Sequence, residues 1–194
     1  MFYTSSTEKR NSKNTITTMK YLFSKKLGLA VIEPNIFYDF RGEYVETWNK
    51  QNYEVFAELM DVEFVQDDIS TSVKHTLRGL HGDFETHKLI SCVYGSLFVA
   101  VVDMRPDHPT YLTWETFSLN DRNRKQVLVP PGYANGHLVM SESAIFSYKQ
   151  STYYQGAHRQ FTVKWNNPKV GIDWPIDNPI LSSRDKNVKI LAER

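Results

Sequence analysis

Short runs rich in apolar and other β-forming residues follow one another along most of this chain, and turn residues separate them. Residues 88–94 and 96–102 are two such runs, and Gly95 between them is typical of a hairpin turn. Further runs of this kind are residues 29–32, 42–48, 63–66, 75–80, 113–119, 126–129, 136–140, 144–149 and 161–165. Many short strands at this spacing predict an all-β fold, a jelly-roll β-sandwich or barrel.

Helical periodicity is rare in the chain. It occurs in residues 49–60, which we therefore expect to form one short helix. The apolar residues that recur there at helical spacing are Tyr53, Phe56, Ala57 and Met60. Residues 186–194 fit either a second short helix or a tail.

The chain length and the composition of its N-terminus predict one domain with an extension. The 194 residues match the usual size of a single domain, which we place at residues 19–194. Residues 1–18 are rich in Ser, Thr, Asn and Lys, so we expect them to be disordered. They also lack the apolar core of a signal peptide, which favours a cytoplasmic protein.

Charge and cysteine content exclude several classes of function. The chain has 23 Lys and Arg residues against 22 Asp and Glu, a net charge of +1, which argues against a protein that coats nucleic acid. Cys92 is its one cysteine, so neither an intrachain disulfide nor a cysteine metal cluster can form. The apolar run at residues 97–102 is too short to span a membrane, so we expect no membrane partner.

The segment Leu-Arg-Gly-Leu-His at residues 77–81 combines a proton acceptor with an anion anchor. His81 can exchange a proton near neutral pH, and Arg78 can hold a phosphate bidentately. In a regular strand these two side chains would point to opposite faces, since they are three residues apart. Both can face one pocket only if the strand bends or bulges, so we predict an irregularity at Gly79.

Several ordered motifs resemble those of the dTDP-4-dehydrorhamnose 3,5-epimerase family across residues 27–185. They are FYDFRGEYVE at 37–46, FVQDDIS at 64–70, LRGLH at 77–81, KL at 88–89, VDMR at 102–105, VPPG at 129–132, YK at 148–149, YY at 153–154, GIDWP at 171–175 and LSSRD at 181–185. The resemblance implies a cupin-like jelly roll with few short helices and no metal or organic cofactor. It also implies inversion of carbons 3 and 5 of a nucleotide-diphospho-4-keto-6-deoxy sugar, in the biosynthesis of surface polysaccharide.

Four residues match the catalytic groups of that family. By resemblance, His81 is the base and Asp185 orients its imidazole ring. Lys88 matches a lysine near the keto oxygen of the sugar. Tyr148 matches the acid on the opposite side of the sugar ring. Proton removal next to a ketone requires such a base, an acid and a group that stabilises the enolate oxygen.

Other matching residues are expected to bind the nucleotide-sugar substrate. Arg78 would hold the diphosphate, while Gln66 and Tyr154 match contacts around the ligand. Arg41 and Glu46 match residues that reach the nucleotide of a neighbouring subunit through an exchanged N-terminal strand. The resemblance therefore implies a homodimer.

The sequence departs from the usual family pattern near the sugar and the base. Usual members have an aromatic residue, a glutamine and a longer loop where this chain has GDFETH at residues 82–87. They have Ala-His-Gly-Phe where this chain has Ala-Asn-Gly-His, so we expect Asn135 and His137 to contact substrate. Asp68 stands at the usual position of an asparagine. These changes are similar to a branch that acts on GDP-linked 4-keto heptoses in capsule assembly, so dTDP or GDP, and hexose or heptose, stay open.

Three alternatives stay open beside the 3,5-epimerase. A single-position epimerase or a ketoisomerase of the same fold would use similar residues. A sugar-binding jelly roll would keep the fold without the chemistry. A metal-dependent cupin usually needs a His-X-His pair, which is absent among the six histidines, and we expect no metal site.

Overall fold

The structure of the protein, a computed structural model, describes residues 19–54, 59 and 61–188. The predicted N-terminal extension lies outside these residues. The strands are β1 Lys20–Phe23, β2 Ala30–Glu33, β3 Ile36–Asp39, β4 Gly42–Val45, β5 Gln66–Val73, β6 Leu77–Gly82, β7 Lys88–Tyr94, β8 Ser96–Asp103, β9 Trp114–Asn120, β10 Gln126–Val129, β11 Tyr133–Val139, β12 Ser143–Gln150 and β13 Phe161–Thr162. The helices are α1 Lys50–Tyr53, a 3₁₀ turn at Ala157–Arg159 and α2 Ser183–Lys186.

Two antiparallel sheets face each other as a sandwich. One has six strands in the order β1-β2-β10-β7-β12-β5, and the other has five in the order β13-β6-β11-β8-β9. Strands from distant parts of the chain alternate between the sheets, which confirms the all-β prediction. The two sheets keep open edges, so the described strands form a sandwich rather than a closed barrel. Strands β3 and β4 form a separate hairpin.

The main core lies between the two sheets, because alternate residues of the central strands point inward. From the six-stranded sheet it contains Ile90, Cys92, Val127 and Phe146, among others. The five-stranded sheet contributes side chains such as Val99, Val101, Tyr133 and Val139. The inward side chains of β5 are polar, so the interior also contains a polar region beside this core.

Both outer faces are covered where the chain folds back on them. Tyr53 and Leu59 pack on Leu89 and Leu128 outside the six-stranded sheet. Val170 and Trp174 pack outside the five-stranded sheet, and the Trp174 indole donates a hydrogen bond to the Trp165 carbonyl at 2.8 Å. After Trp174 the chain returns towards β6, where Ile180 forms a parallel bridge with Thr76.

Most predicted strands are present, with one wrong placement and two omissions. The run predicted at residues 63–66 is not a strand, and β5 begins at its last residue instead. In β5 the inward residues are polar, while Ile69 and Val73 point outward and are exposed, so its alternation is the reverse of the usual pattern. Strands β1 and β3 were not predicted.

The predicted helix is confirmed only at its beginning. Asn49 caps α1, because its side-chain oxygen accepts a hydrogen bond from the Asn52 amide at 3.3 Å. Residues 55–58 and 60, which include the rest of the predicted apolar stripe, lie outside the described residues. The alternative for residues 186–194 stays open, because α2 ends at Lys186 and residues 189–194 lie outside the described residues.

The predicted irregularity in β6 is confirmed. Four residues of β6, from Arg78 to His81, span the same length as three residues of β11, from Asn135 to His137. The extra residue is accommodated at Gly79, whose φ of 115° suits glycine. As a result Arg78 and His81 share the inner face of the sheet, while Leu80 joins the outer core.

A side chain at position 79 should disturb this register. A Cβ atom there would lie 2.6 Å from the Gly136 Cα and 2.7 Å from the Asn135 carbonyl oxygen. We expect Gly79→Ala to lower the free energy of unfolding by about 2 to 4 kcal/mol, measured by urea denaturation.

Gly42→Ala is the matched control, since Gly42 has a φ of 129° and no atom within 4 Å of its added Cβ. We expect that variant to lose about 1 kcal/mol from backbone strain alone. Equal losses in the two variants would contradict the close approach of β6 and β11.

Candidate active site

His81 and Asp185 form a close pair at the inner face of β6. The His81 Nε2 atom lies 2.7 Å from the Asp185 Oδ1 atom, and the aspartate side chain is only 3% exposed. Burial opposes ionisation of Asp185, but hydrogen bonds from His81, Ser182 and the Gly79 backbone outweigh it and hold its pKa below the usual value. The ionised carboxylate therefore accepts the Nε2 proton, and Nδ1 keeps the lone pair of the imidazole ring.

The start of α2 fixes the position of Asp185. Ser182 caps the helix, since its hydroxyl accepts the Asp185 amide at 3.1 Å and donates to the Asp185 Oδ2 atom at 2.9 Å. Arg184, which precedes Asp185, donates to the Thr162 hydroxyl at 2.7 Å, which ties α2 to the edge strand beside β6. Both carboxylate oxygens of Asp185 are thus held.

Lys88 lies at the start of β7 and is 7% exposed. Its cross-strand neighbours are Val129 and Gln150. Within the described residues, its ammonium group has neither a hydrogen bond nor a salt bridge. Burial lowers the pKa of Lys88, the Asp83 carboxylate opposes this change, and Arg184 adds to it. An unpaired buried cation of this kind is suited to meet an anion or a developing oxyanion.

Tyr148 lies in β12, two rungs of the ladder from Lys88. It pairs with Ile90 on one side and Asp68 on the other. Burial raises the pKa of Tyr148, and the nearby Asp68 and Tyr154 raise it further, against the influence of Arg78. Its hydroxyl has no hydrogen bond to any described residue. The phenol is therefore kept protonated and available.

Arg78 lies on the other wall, next to His137 in the β6–β11 ladder. Its Nε atom donates to the Ser72 hydroxyl of β5 at 2.9 Å, so it links β6 of one sheet to the edge strand of the other. His137 is buried and stacks on Phe146, with ring centroids 4.2 Å apart. Asn135 pairs with His81 on the same strand face as His137.

A polar row continues from Lys88 to the edge strand β5. The Asp68 carboxylate accepts hydrogen bonds from the side chains of Gln66 and Gln150, both at 2.8 Å. The Gln66 side-chain oxygen accepts the Tyr154 amide at 2.8 Å. Beside this row the loop of residues 83–86 and residues 150–160 enclose a cavity of about 250 Å³.

Two predicted site residues lie apart from the others within one subunit. Arg41 is bound to Asp39 at 2.6 Å in the turn of the β3–β4 hairpin and is largely exposed. Glu46 accepts hydrogen bonds from the side chains of Asn49 and Asn52 at the start of α1. The nine other predicted residues lie on or beside the inner faces of the two sheets: His81, Asp185, Lys88, Tyr148, Arg78, Gln66, Asn135, His137 and Tyr154.

The sequence interpretation missed several polar residues of this pocket. Ser72 accepts a hydrogen bond from Arg78, Gln150 is a cross-strand neighbour of Lys88, and the charges of Asp83 and Arg184 act on Lys88. A signal for part of this set was present, because every second residue from Gln66 to Ser72 is polar. That alternation predicts a strand with a polar inner face, which is unusual unless the face lines a site.

The part of the chain that the structure describes offers no group of three or more histidine, cysteine, aspartate or glutamate side chains arranged to hold a metal ion. Its helices are too short or too polar to cross a membrane.

Comparison with known proteins finds the resemblance noted in the sequence over most of the chain. The family model described as dTDP-4-dehydrorhamnose 3,5-epimerase matches residues 25–193. The chain belongs to this family. As a member of this epimerase family it is an isomerase, and the cupin-like jelly roll expected from the sequence is confirmed.

Three relatives illustrate the range of the family. The dTDP-4-dehydrorhamnose 3,5-epimerase of Shigella flexneri is 38% identical over 162 residues, which cover 82% of this chain and 88% of the relative. A Legionella pneumophila epimerase in complex with dTDP-4-keto-L-rhamnose superposes with a TM-score of 0.82 at 34% identity, covering 89% and 92% of the two chains. A dTDP-4-dehydrorhamnose 3-epimerase of Streptomyces niveus is 33% identical over 174 residues, covering 86% of this chain and 81% of the relative.

Replacement of Lys88 by an apolar side chain of similar length should stabilise the fold. Because Lys88→Met removes an unpaired buried cation, we expect its free energy of unfolding near pH 7 to rise by about 1 to 2 kcal/mol. The lowered pKa of Lys88 means that the unfolded chain binds this proton more tightly, so the wild type gains stability as pH rises towards about 10. The advantage of the variant should therefore shrink with rising pH in urea titrations.

Lys149→Met is the control on the opposite face of the six-stranded sheet, where Lys149 forms a 2.8 Å ion pair with exposed Asp67. We expect no gain in stability there. A destabilised Lys88→Met would contradict the unpaired state of the ammonium group.

Proposed function

We propose that this protein inverts carbons 3 and 5 of a nucleotide-diphospho-4-keto sugar by proton removal and return through an enolate, in the biosynthesis of surface polysaccharide in the cytoplasm. The observation that carries the proposal is the 2.7 Å contact between His81 and buried Asp185, on the wall that faces Lys88 and Tyr148. These four residues are the ones that match the catalytic groups of the family.

His81 is the base in this proposal. The Asp185 carboxylate fixes the tautomer with hydrogen on Nε2, so Nδ1 can accept a proton from a carbon next to the ketone. The carboxylate also stabilises the imidazolium that forms when the proton is taken up. A buried and ionised Asp185 is well suited to this role.

Lys88 and Tyr148 complete the reaction. The Lys88 ammonium, which lacks a polar partner among the described residues, would stabilise the enolate oxygen. The Tyr148 phenol, whose pKa burial raises, would return a proton to the face of the sugar opposite His81. Return to the opposite face is what converts proton exchange into inversion.

Arg78 would bind the diphosphate. Its guanidinium reaches the opening between β5 and β6, and the Ser72 contact uses only one of its donors. Gln66 and Tyr154 lie in the row beyond Lys88, where the rest of the ligand would extend. Asn135 and His137 would contact the sugar.

Solvent exchange tests the reaction and the roles together. We expect deuterium from D₂O at carbons 3 and 5 of a suitable dTDP- or GDP-linked 4-keto sugar, detected by NMR. His81→Ala should slow exchange at both carbons by about 100- to 10,000-fold, because it removes the base. Tyr148→Phe should keep part of the exchange but impair inversion, because only the returning proton is lost.

Tyr154→Phe is the comparison for Tyr148→Phe, since its ring is half exposed and we assign it no proton transfer. If no 4-keto nucleotide sugar exchanges deuterium, the proposed function is wrong. Full activity of His81→Ala would overturn the assignment of the base alone.

A single-position epimerase is the second candidate, because the Streptomyces niveus relative is a 3-epimerase. Deuterium at one carbon only would favour it.

We also propose a homodimer in which the β3–β4 hairpin reaches the site of the partner. Two features support it: the hairpin pairs with neither large sheet, and its aromatic side chains are exposed, with Phe40 98% and Tyr38 71% accessible. Arg41 and Glu46 would then contact the nucleotide bound by the other subunit. The edge strand β5 adds exposed Ile69 and Val73.

Mixed dimers test the exchange of the hairpin. Arg41→Ala and His81→Ala chains, unfolded together and refolded, should recover about a quarter of the wild-type sites, because one site in each mixed dimer combines two intact residues. The measurement is the deuterium exchange rate, with dimerisation followed by light scattering. If Arg41 instead acts within its own subunit, mixing creates no intact site. The mixture will then show only half the exchange rate of the Arg41→Ala protein alone.

A further inference from the structure

The β3–β4 hairpin is held at both of its ends by one segment of its own subunit. The strand before it, β2, pairs with β10, where Val31 lies opposite Val127. The chain after it is held by Gln126, whose side-chain amide donates to the Thr47 carbonyl at 2.7 Å. Gln126 is 3% exposed, so this hydrogen bond lies in the interior, where it is stronger than in water. The base of the hairpin is therefore fixed to the subunit that carries it.

A third contact holds the hairpin close to its tip. Glu43, which pairs with Tyr38 next to the turn, accepts a hydrogen bond from the Arg124 Nε atom at 2.9 Å. A second guanidinium nitrogen of Arg124 contacts the same carboxylate oxygen, and the third donates to the Val93 carbonyl of β7 at 2.6 Å. The Arg124 and Glu43 side chains are only 21% and 30% accessible. This ion pair is thus partly shielded from solvent and braced against a strand, unlike a freely exposed pair.

Arg124 has a backbone conformation that arginine rarely adopts. Its φ is 51°, in the left-handed region where glycine and asparagine are common. The turn itself is fixed by its neighbours, because the Asn120 side chain accepts the Asn123 amide at 2.8 Å and the Asn123 side chain accepts the Lys125 amide at 3.1 Å. A glycine at position 124 would form this turn without strain. The arginine therefore has a use beyond the turn, and its side chain points to the hairpin.

We propose that Arg124 is a positioning residue, which sets the direction of the β3–β4 hairpin and thereby the affinity of the partner subunit's site for the nucleotide. The inference rests on the proposed homodimer with an exchanged hairpin. Arg41 lies two residues before Glu43, in the turn at the free end, so a hairpin that tilts about its fixed base displaces Arg41 most. Arg124 needs no contact of its own with the nucleotide, because all three of its guanidinium nitrogens bond within its own subunit.

Nucleotide affinity and stability together test this role. Calorimetric titration with GDP and dTDP first identifies the nucleotide that the wild type binds more tightly. We expect Arg124→Gly to raise the Kd for that nucleotide, and the KM for deuterium exchange, by about tenfold with little change in kcat. Its midpoint of thermal unfolding should stay close to that of the wild type, because relief of backbone strain offsets the lost ion pair. A residue that served the turn alone would change the midpoint and leave the Kd unchanged.

Lys125→Ala is the matched control from the same turn. Lys125 forms a 2.8 Å ion pair with Glu33, and their accessibilities of 37% and 25% are similar to those of the other pair. Glu33 belongs to β2, which its ladders already hold in place, so we expect the wild-type Kd. Glu43→Ala should repeat the effect of Arg124→Gly. The double variant should bind no more weakly than either single one, because the two side chains form one contact.

Mixed dimers identify the subunit in which Arg124 acts. A dimer of one Arg124→Gly chain and one His81→Ala chain, isolated with two different affinity tags, has one working site. That site combines an intact His81 with the hairpin of the other chain, whose Arg124 is intact. We therefore expect the wild-type KM in the mixed dimer, although the Arg124→Gly homodimer has a KM about tenfold higher.

Three results would overturn the positioning role: an unchanged Kd in both Arg124→Gly and Glu43→Ala, an equal rise in Lys125→Ala, or the higher KM in the mixed dimer. If no 4-keto nucleotide sugar exchanges deuterium, the proposed reaction fails, and the nucleotide Kd values of the variants still decide the role of Arg124. If light scattering finds the wild type monomeric, the exchanged hairpin and the role of Arg124 fail together, whereas the reaction is unaffected.

Discussion

The extra residue that β6 accommodates at Gly79 sets the direction of Arg78 and His81, and the other parts of the site are arranged around these two side chains. The Gly136 Cα lies where a side chain at position 79 would need to be, so two glycines allow β6 and β11 to approach at this point. One strand irregularity thus turns an anion anchor and a base towards the same space. Asp185 then reaches His81 and the Gly79 backbone from α2.

The site contains polar groups that the folded chain alone leaves unsatisfied. Lys88 and Tyr148 have no hydrogen-bond partners among the described residues, and Ser70, Asn135 and His137 each have a buried atom without one. The last three atoms lower the stability of the fold, because burial removes water from them without replacing it. The apolar core between the sheets offsets that cost, and a bound substrate would satisfy the unpaired groups.

Strand β5 illustrates how function changes a sequence pattern. Its inward residues are Gln66, Asp68, Ser70 and Ser72, while outward Ile69 and Val73 are exposed. A half-buried strand usually has apolar residues inward and polar residues outward, so the sequence pattern did not indicate a strand beyond residue 66. The inner face is polar because it lines the pocket. The exposed apolar face is compatible with the proposed dimer.

Local pattern determined much of this protein. Runs of β-forming residues between turn residues predicted the all-β fold and the central strands, several of which are buried on both faces. The order of the motifs identified the residues that match the catalytic and binding groups of the family. Arg78 and His81 are three residues apart, so they could share one face only if the strand contained a bulge. Tertiary structure alone decided which distant residues meet: Asp185 lies 104 positions from His81, and only the return of the chain over the five-stranded sheet brings them together. The unpaired state of Lys88 and His137 was likewise hidden, because hydrogen-bond partners and burial depend on the packing of both sheets.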